Sequence, residues 1–361
     1  LYGEHQAVAK IVSASTDHHN SAEPHTPEDP GRLHLLLERQ AYRLAHWRVA
    51  SDDINYRRFF DINELACLRM EDPEVFEQTH KTTLDFLARN KVQGLRIDHP
   101  DGLYNPAEYF QRLQERVAQL TQSAWTQKPL YLLAEKILSR DEPLRHDWAL
   151  HGTTGYEFAA LCTGLFIDSR HADDMQDIYD QFIGRRTDLE DVIYHCKKLI
   201  MKTSLASEVA VLANQLTRIS EADPHTRDFT LNGLRQAIIE TVACFPVYRT
   251  YITDDSASEE DKRYIDQAID NAIRRSQAVD VSSLAFIRDL LHNIGKNKNR
   301  RLQERIRRFV MQLQQYCAPV MAKGVEDTAF YVYHRLVALN EVGADPGKFG
   351  VTPDEFHQAN Q

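Results

Sequence analysis

The sequence predicts an α/β fold in which helices outnumber strands. Residues 92–97 have the composition of a short strand and are followed directly by Asp98. A continuous apolar run at 130–134, typical of a strand covered on both faces, is followed by Glu135. After residue 155, apolar residues recur with helical spacing. Together these patterns predict a strand–helix–strand unit joined to a block of helices.

A helix is predicted between the two strands. Asn105 can cap it, Pro106 suits its first turn, and Glu108 stands three residues after the cap. Its apolar residues form one stripe: Tyr109, Phe110, Leu113, Val117 and Leu120. Because parallel strands end at one edge of a sheet, this unit brings Asp98 and Glu135 to the same edge.

Two carboxylates at one edge suggest glycoside chemistry. A retaining mechanism places a nucleophile and an acid/base about 5–5.5 Å apart. Arg96 and Asp98 point to the same face of the strand, and a neighbouring arginine keeps a carboxylate ionised. Acidic residues also commonly cap strand-to-helix turns, and the spacing alone favours that structural interpretation.

Two helices are predicted ahead of the first strand. Apolar residues fall on one side of 33–47, and 71–89 begins with Asp72 as cap and Pro73 in the first turn. The polar stretch 13–31 is typical of an exposed loop. Its histidines are poor metal-ligand candidates, because no predicted helix or strand fixes their geometry: His18, His19 and His25.

Composition and charge limit the classes of binding partner and the cell compartment that the sequence predicts. The 361 residues are 42% hydrophobic and 27% charged, and a net charge of −10 argues against nucleic acid or an anionic membrane as partner. The basic run at 296–308 lies on a predicted amphipathic helix, so a solvated face is the favoured interpretation. No apolar run reaches the ~18 residues of a membrane span. Five dispersed cysteines indicate reduced thiols and a cytoplasmic protein.

Aromatic and arginine side chains alternate between residues 47 and 60. Sugars stack on aromatic rings while charged side chains bind their hydroxyl groups, so this pattern suits a saccharide site. A place in the hydrophobic core explains the pattern equally well. The residues concerned are Trp47, Tyr56, Arg58 and Phe60.

Two segments carry a resemblance to a known family. GLRIDHPDGL at 94–103 and AEKIL at 134–138 resemble the nucleophile and acid/base segments of the maltooligosyl trehalose synthases, in the α-amylase superfamily. Further segments similar to that family lie at 42–48, 54–61, 152–156, 245–251 and 321–328.

The resemblance implies part of a (β/α)8 TIM barrel with a large inserted helical subdomain. About three strands can be placed, ending near Asp98, Glu135 and Lys323, the last within the apolar run 318–324. The expected domains are an exposed loop or linker at 1–32, a barrel part with both carboxylates at 33–155, the helical subdomain at 156–316, and a return to the barrel at 317–361. In this last part a strand is followed by a helix at 328–339 and then by loop.

The resemblance also implies a reaction. It is intramolecular transglucosylation, with retention, of the reducing-end α-1,4 linkage of a maltooligosaccharide into an α,α-1,1 (trehalose) linkage. Asp98 is implied as nucleophile and Glu135 as acid/base, without metal ion or cofactor. The implied substrate-binding residues are Arg96, His99, Trp47, Tyr56, Arg58, Phe60, Lys136, Lys323 and Glu326.

Two features indicate a fragment. The sequence begins at Leu1, and the His-Asp pair that supplies the superfamily's third catalytic aspartate is not found in context. We therefore expect the 361 residues alone to be inactive. An α-glucan hydrolase or glucosyltransferase of the same superfamily, and a non-catalytic glucan-binding fragment, remain alternatives. The sequence gives no prediction of oligomeric state.

Overall fold

The computed structural model describes residues 10, 12–17, 31–121, 128–139, 142–253, 256–276 and 278–361. The chain divides into two compact units, 1–50 and 51–361. His18, His19 and His25 lie outside the described residues.

The first unit contains less helix at 33–47 than predicted. Helix α1 (Gly31–Glu38) is followed by a turn and extended backbone, and a 3-10 helix begins at Trp47. Leu33, Leu35 and Leu44 are exposed, so the predicted apolar face has little packing to extend the helix. Residues 12–17, predicted as loop, are helical and exposed.

The second unit opens with a hairpin and a long helix. Strands β1 (Arg58–Phe59) and β2 (Ile62–Ala66) pair antiparallel. Helix α2 (Pro73–Ala88) begins as predicted, because the Asp72 carboxylate accepts hydrogen bonds from the backbone N–H groups of the first turn.

A parallel sheet confirms the predicted strand–helix–strand unit. Strand β3 (Gly94–Ile97) leads into α3 (Pro106–Thr121) and then β4 (Tyr131–Ala134), which pairs with β3. A short third strand, β5 (Gly152–Thr153), pairs with β4 in a segment where no strand was predicted. Two residues carry no pattern from which a strand could be predicted.

Helices α2 and α3 cover this sheet. Their contact surface is a core of fully buried side chains: Phe76, Phe110, Leu113 and Leu132. The buried amide of Gln114 ties α3 to the sheet, because it accepts from the N–H of Leu130 and donates to the carbonyl groups of Leu130 and Ala149.

Most of the remaining chain is helical, and the prediction of a helix-dominated fold is confirmed. A second core lies among α6 to α11. None of the described helices is long and apolar enough to cross a membrane. The helices are α4 (Tyr156–Leu165), α5 (Ala172–Ile183), α6 (Leu189–Lys202), α7 (Ala206–Ser220), α8 (Leu231–Ala243), α9 (Glu259–Arg275), α10 (Val281–His292), α11 (Arg300–Met321) and α12 (Pro353–Ala359).

The strand predicted at 318–324 is wrong. Helix α11 continues to Met321, and a π-helical turn, Ala322–Glu326, follows it. A short apolar run fits a strand or a buried helix equally well, and here it extends the buried stripe of α11. That stripe consists of Ile306, Phe309, Val310, Leu313, Cys317 and Val320.

The helix predicted from Thr328 to Leu339 is also corrected. The structure has two separate 3-10 turns, Ala329–Tyr331 and Val337–Leu339. The Asn340 side chain donates to the carbonyl groups of Phe330 and Tyr333, which replaces helical bonding there. The described parallel sheet has three strands, and the (β/α)8 barrel stays a prediction.

Helix α11 joins the two cores through three consecutive polar side chains. Gln314 bonds both backbone groups of Ile252, Gln315 donates to the carbonyl group of Gly102, and the Tyr316 hydroxyl donates to that of Leu205. The helical part of the chain, residues 156–321, is thereby tied directly to the turn that follows β3.

Candidate active site

Asp98 and Glu135 lie at the ends of adjacent parallel strands. Ile97 pairs with Ala134 in the register of β3 and β4, so the two carboxylates follow opposed residues. The Glu135 N–H donates to the carbonyl of Ile97 (2.8 Å), and the His99 N–H donates to Glu135 Oε2 (3.0 Å). Backbone bonds therefore hold Glu135 against the turn that carries Asp98.

Arg96 contacts Asp98, as predicted. Its Nη1 donates to Asp98 Oδ1 at 2.9 Å, and both side chains are about half exposed or more. An exposed pair of this kind contributes little to stability. The contact is therefore better suited to orienting the carboxylate than to holding the fold together.

Glu135 has a different environment from Asp98. Burial raises the pKa of Glu135, the His99 N–H opposes this, and the negative charge of Asp98 adds to it. A partly buried acid with a raised pKa beside an exposed carboxylate is the arrangement that divides proton donor from nucleophile in two-carboxylate enzymes.

Two residues near the carboxylates have left-handed backbones. Phe60 has a φ of 52° and His99 a φ of 44°. Their rings lie 4.4 Å apart, centroid to centroid, and Phe59 meets His99 edge-on at 5.5 Å. Such strain persists only where surrounding contacts impose it, and it is typical of functional sites.

The turn after Asp98 requires a glycine. His99 leads into a 3-10 turn, Pro100–Gly102. A Cβ on Gly102 would lie 2.6 Å from Cδ2 of His99, so any larger residue would displace that ring. The turn is closed by bonds from the N–H groups of Gly102 and Leu103 back to His99 and Pro100.

Glu326 approaches Glu135 from the π-helical turn. The Tyr248 hydroxyl donates to Glu326, and burial raises the pKa of Glu326 to about 7, with a smaller contribution from the charge of Glu135. Burial also raises the pKa of Tyr156, again with a contribution from Glu135. Tyr156 and Tyr248 were not predicted as site residues, although both lie in segments that carry the resemblance.

Lys323 lies next to Phe60. Its Nζ is 5.5 Å from the Phe60 ring centroid and is paired with Asp61 (3.4 Å) and Asp327 (2.8 Å). The second unit thus brings together most of the predicted site: Arg96, Asp98, His99, Glu135, Phe60, Lys323 and Glu326.

The raised pKa of Glu326 predicts a pH-dependent stability. A carboxyl group with a folded pKa of about 7 and an ordinary value of 4.5 favours folding below 4.5 and loses that contribution as the pH rises through 7. The difference in unfolding free energy between Glu326→Gln and wild type should therefore change by about 3 kcal/mol, in favour of the variant, from pH 4.5 to about pH 8. Urea unfolding across this range measures it.

The exposed Glu221 provides the matched control. Glu221→Gln should leave the pH dependence unchanged. A Glu326→Gln profile parallel to wild type would show that Glu326 is charged in the folded protein at neutral pH.

Lys136 does not face a ligand, which corrects its predicted role. Its side chain is 1% exposed, with Nζ 2.8 Å from Glu142, 3.5 Å from Asp101 and 2.9 Å from the Ile137 carbonyl oxygen. Successive residues of an extended chain point to opposite sides, so Lys136 points inward where Glu135 points to the site. Burial disfavours the charged amine, but the two carboxylates outweigh burial and raise the pKa of Lys136.

Removal of Lys136 should destabilise the fold strongly. Lys136→Met leaves Asp101 and Glu142 buried without a cation, and breaking a buried pair in this way costs about 3–5 kcal/mol. Urea unfolding near pH 7 checks it. Arg89→Met, which breaks an exposed pair with Asp85, should cost below about 1 kcal/mol. Equal losses in both variants would contradict the prediction.

Arg58 is also an internal residue. Its side chain is 2% exposed and is bonded to Glu208 (2.6 Å), to the Ser204 carbonyl (2.9 Å) and to Asn63 (2.8 Å). Its guanidinium is occupied by protein partners, so its predicted substrate contact is corrected to an anchor between the hairpin and α7.

The two remaining aromatic candidates differ in position. The Tyr56 hydroxyl donates to the Asn63 carbonyl at 2.7 Å, and its side chain remains partly exposed. Trp47 belongs to the first unit, is 70% exposed and has the Arg48 guanidinium 5.5 Å from its ring. The substrate contact predicted for Trp47 stays a prediction.

A largely apolar cleft of about 200 Å³ adjoins the carboxylate site. His99 and Phe60 belong to its lining, whereas Asp98 and Glu135 do not, so the cleft lies beside the carboxylates rather than over them. Helices α7 and α11 form the opposite wall. Among the residues that the structure describes, no group of three or more His, Cys, Asp or Glu side chains could hold a metal ion.

Known proteins share both sequence and structure with this chain. No family model matches it. A protein of Mycobacterium tuberculosis (strain CDC 1551 / Oshkosh) with the provisional name maltooligosyl trehalose synthase is 30% identical over 320 residues, which are 89% of this chain and 37% of that protein. The chain thus spans about 37% of the length of the curated relatives it matches.

Solved structures agree. Maltooligosyltrehalose synthase from Arthrobacter ramosus matches with a TM-score of 0.75 and 31% identity, over 94% of this chain and 39% of that one. A hypothetical maltooligosyl trehalose synthase from Sulfolobus tokodaii matches with a TM-score of 0.64 and 32% identity, over 91% of this chain and 37% of that one. Over about nine tenths of its length, the chain is therefore similar to a part of the maltooligosyl trehalose synthases, the family that its motifs predicted.

Proposed function

We propose that the longer protein containing this chain is an intramolecular transglucosylase that makes a trehalose end on a maltooligosaccharide. The observation that carries the proposal is the placement of Asp98 and Glu135 at adjacent strand ends, in segments that resemble the family's nucleophile and acid/base. The length match to its relatives is partial, so the activity belongs to the longer protein.

The reaction has two displacements. Asp98 attacks C1 of the penultimate glucose, and the α-1,4 bond breaks as Glu135 gives its proton to the departing O4. The released glucose turns in the site, and its anomeric hydroxyl attacks the same C1 while Glu135 takes the hydroxyl proton. Asp98 leaves as a carboxylate, and two inversions give a retained α,α-1,1 linkage.

The surroundings of the two carboxylates support these roles. Burial raises the pKa of Glu135, which favours the protonated form needed for the first step. Asp98 is exposed and has a cationic partner in Arg96, which suits a nucleophile that must accept a sugar carbon.

Transfer exceeds hydrolysis only if the released glucose is held and water is kept out. The neighbouring Phe60 and His99 rings, tilted by 37° to one another, offer an apolar surface for a sugar face. Lys323 lies beside Phe60 and offers a cation for sugar hydroxyls. Glu326, whose charge interacts with that of Glu135, offers a carboxyl group. In this proposal the parallel sheet is part of a (β/α)8 barrel that the longer protein completes.

Maltohexaose and its reduced form, maltohexaitol, separate the candidate functions. The longer protein should remove reducing ends from maltohexaose without releasing free glucose, and it should not convert maltohexaitol, which lacks the anomeric hydroxyl that attacks in the second step. Shorter maltooligosaccharides from both substrates would indicate an α-glucan hydrolase instead. Binding without turnover would indicate a glucan-binding protein.

The 361 residues alone should give no turnover of maltohexaose. They span about 37% of the relatives' length, and electrostatic stabilisation of the transition state commonly supplies the largest part of a rate enhancement. The same assay, applied to the purified chain, checks this. Turnover comparable to that of the longer protein would mean that these residues contain every group that the reaction needs.

A further inference from the structure

A buried arginine from the helical part binds the turn that carries the carboxylates. Arg249 is 1% exposed, and its guanidinium donates to the backbone carbonyl groups of Asp101 (3.0 Å), Leu103 (2.6 Å) and Tyr104 (3.5 Å). Its Nε donates to the Thr250 carbonyl at 2.9 Å. A guanidinium carries five N–H groups in a rigid fork, so it can bind several carbonyl groups of one tight turn, which a lysine cannot.

Burial of a charged guanidinium costs free energy, and the contacts of Arg249 show what compensates for that cost. Arg249 donates hydrogen bonds to four backbone carbonyl groups, and its guanidinium also lies 5.2 Å from the centroid of the Tyr251 ring. Hydrogen bonds from a charged donor are stronger than neutral ones, so these contacts offset part of the cost of burial and hold the backbone of residues 101–104.

Three further contacts hold the same turn. The Tyr251 hydroxyl donates to the Asp101 carboxylate, and Lys136 is paired with that carboxylate. Gln315 of α11 donates to the carbonyl of Gly102 at 3.0 Å. Residues 101–104 are thus bound from several sides by side chains far away in the sequence.

This turn also fixes the relative position of the two carboxylates. His99, which leads into the turn, has a left-handed backbone, and its N–H donates to Glu135. If residues 101–104 were released, His99 could relax from this conformation and its N–H would leave Glu135. Asp98 precedes His99 directly, so the same relaxation would also move Asp98.

We propose that Arg249 is a positioning residue that, from the helical part, holds His99 in its left-handed conformation and so sets the geometry of Asp98 and Glu135. This inference rests on the proposed function for its kinetic consequence, but its structural consequence can be measured separately. Arg249 is buried, so in this proposal it acts through the turn and not through contact with substrate.

Arg249→Lys in the longer protein tests the proposal, because it keeps the charge and removes the fork. We expect kcat to fall about 100-fold, the effect of a small misplacement of reacting groups, with KM changed by less than about threefold. Loss of the His99 hydrogen bond raises the pKa of Glu135, so the high-pH limb of the rate profile should move to higher pH. A lysine that only weakens the fold would lower the amount of active enzyme without moving this limb.

Arg112 provides a matched control. It lies on α3, and its Nη1 donates to the carbonyl groups of Met70 and Glu71 (both 3.1 Å), so Arg112→Lys loses the same kind of contact elsewhere. Its kcat and pH profile should match wild type. Equal kinetic behaviour of Arg249→Lys and Arg112→Lys would overturn the proposal.

Hydrogen–deuterium exchange separates this inference from the function. The peptide covering 98–104 should exchange at least tenfold faster in Arg249→Lys than in wild type, and it should be unchanged in Arg112→Lys. If the longer protein hydrolyses glucans instead of transferring glucose, the kcat and pH measurements apply to hydrolysis. If it turns over no glucan, the proposed function fails, and the exchange measurement still decides whether Arg249 holds the turn.

Gln315→Met covers the case in which Arg249→Lys does not fold. It removes one partly buried bond to the same turn, so exchange at 98–104 should increase in the same direction by a smaller factor. Unchanged exchange at 98–104 in Gln315→Met would show that the turn does not depend on bonds from distant side chains, and it would overturn the proposal.

Discussion

Asp98→Asn in the longer protein should lower kcat for maltohexaose on the order of 10⁴-fold, because an amide cannot form the glucosyl ester. Glucan binding should change by less than about threefold, because ring stacking and hydroxyl contacts do not depend on the nucleophile. Asparagine keeps the size of the side chain and can still accept from Arg96, so the fold should be undisturbed. Turnover assays combined with isothermal titration of maltohexaose separate the two effects.

The control for Asp98 is another partly exposed aspartate with an arginine partner. Asp85 on α2 pairs with Arg89, the residue that directly follows this helix. Asp85→Asn should keep full activity. More than a few per cent of wild-type activity in Asp98→Asn would exclude Asp98 as the nucleophile.

Glu135→Gln should have the second largest effect. Natural maltooligosaccharides need a proton on the departing oxygen, so kcat should fall about 10²- to 10⁴-fold. A maltosyl fluoride loses fluoride ion, a leaving group that needs little protonation. The rate of fluoride release in the first step should therefore fall much less. Comparing the two donors by reducing-end loss and fluoride release identifies the acid. Equal losses with both would assign Glu135 to positioning instead.

Glu115 provides the control for that substitution. It is an exposed glutamate on α3 that accepts a hydrogen bond from Gln111. Glu115→Gln should leave the rates with both donors unchanged, which would show that the effect of Glu135→Gln comes from its position at the end of β4.

The carboxylate pair could be predicted from sequence because local patterns determine it. Each strand is a short apolar run, and Asp98 and Glu135 follow directly where a parallel sheet places its ligand-facing edge. The cap of α3 is equally local: Asn105 accepts from the Glu108 N–H within three residues.

The end of α11 could not be predicted in the same way. A run such as 318–324 satisfies the pattern of a buried strand and that of a buried helix, and the neighbouring core decides between them. Lys323 therefore lies in a π-helical turn and not at the predicted strand end, with its amine beside the Phe60 ring.

Buried charges were the other source of error. Arg58 pairs with Glu208, 150 residues away, and the role of Lys136 depends on Asp101 and Glu142. Sequence spacing cannot distinguish a cation that meets a sugar from one that meets a distant carboxylate. For the same reason Arg249 lay in a segment similar to the family without being predicted as a site residue.

Helix α11 limits how this protein can be recombined with its relatives. Gln314, Gln315 and Tyr316 are successive residues, so on a helix they point in directions about 100° apart, towards Ile252, Gly102 and Leu205. A chimera that takes its helical part from another parent must match all three contacts at once, or the donated helix will fit one neighbour and misfit the others. Crossover points should therefore avoid separating the segment after β3 from α11, so that both come from one parent.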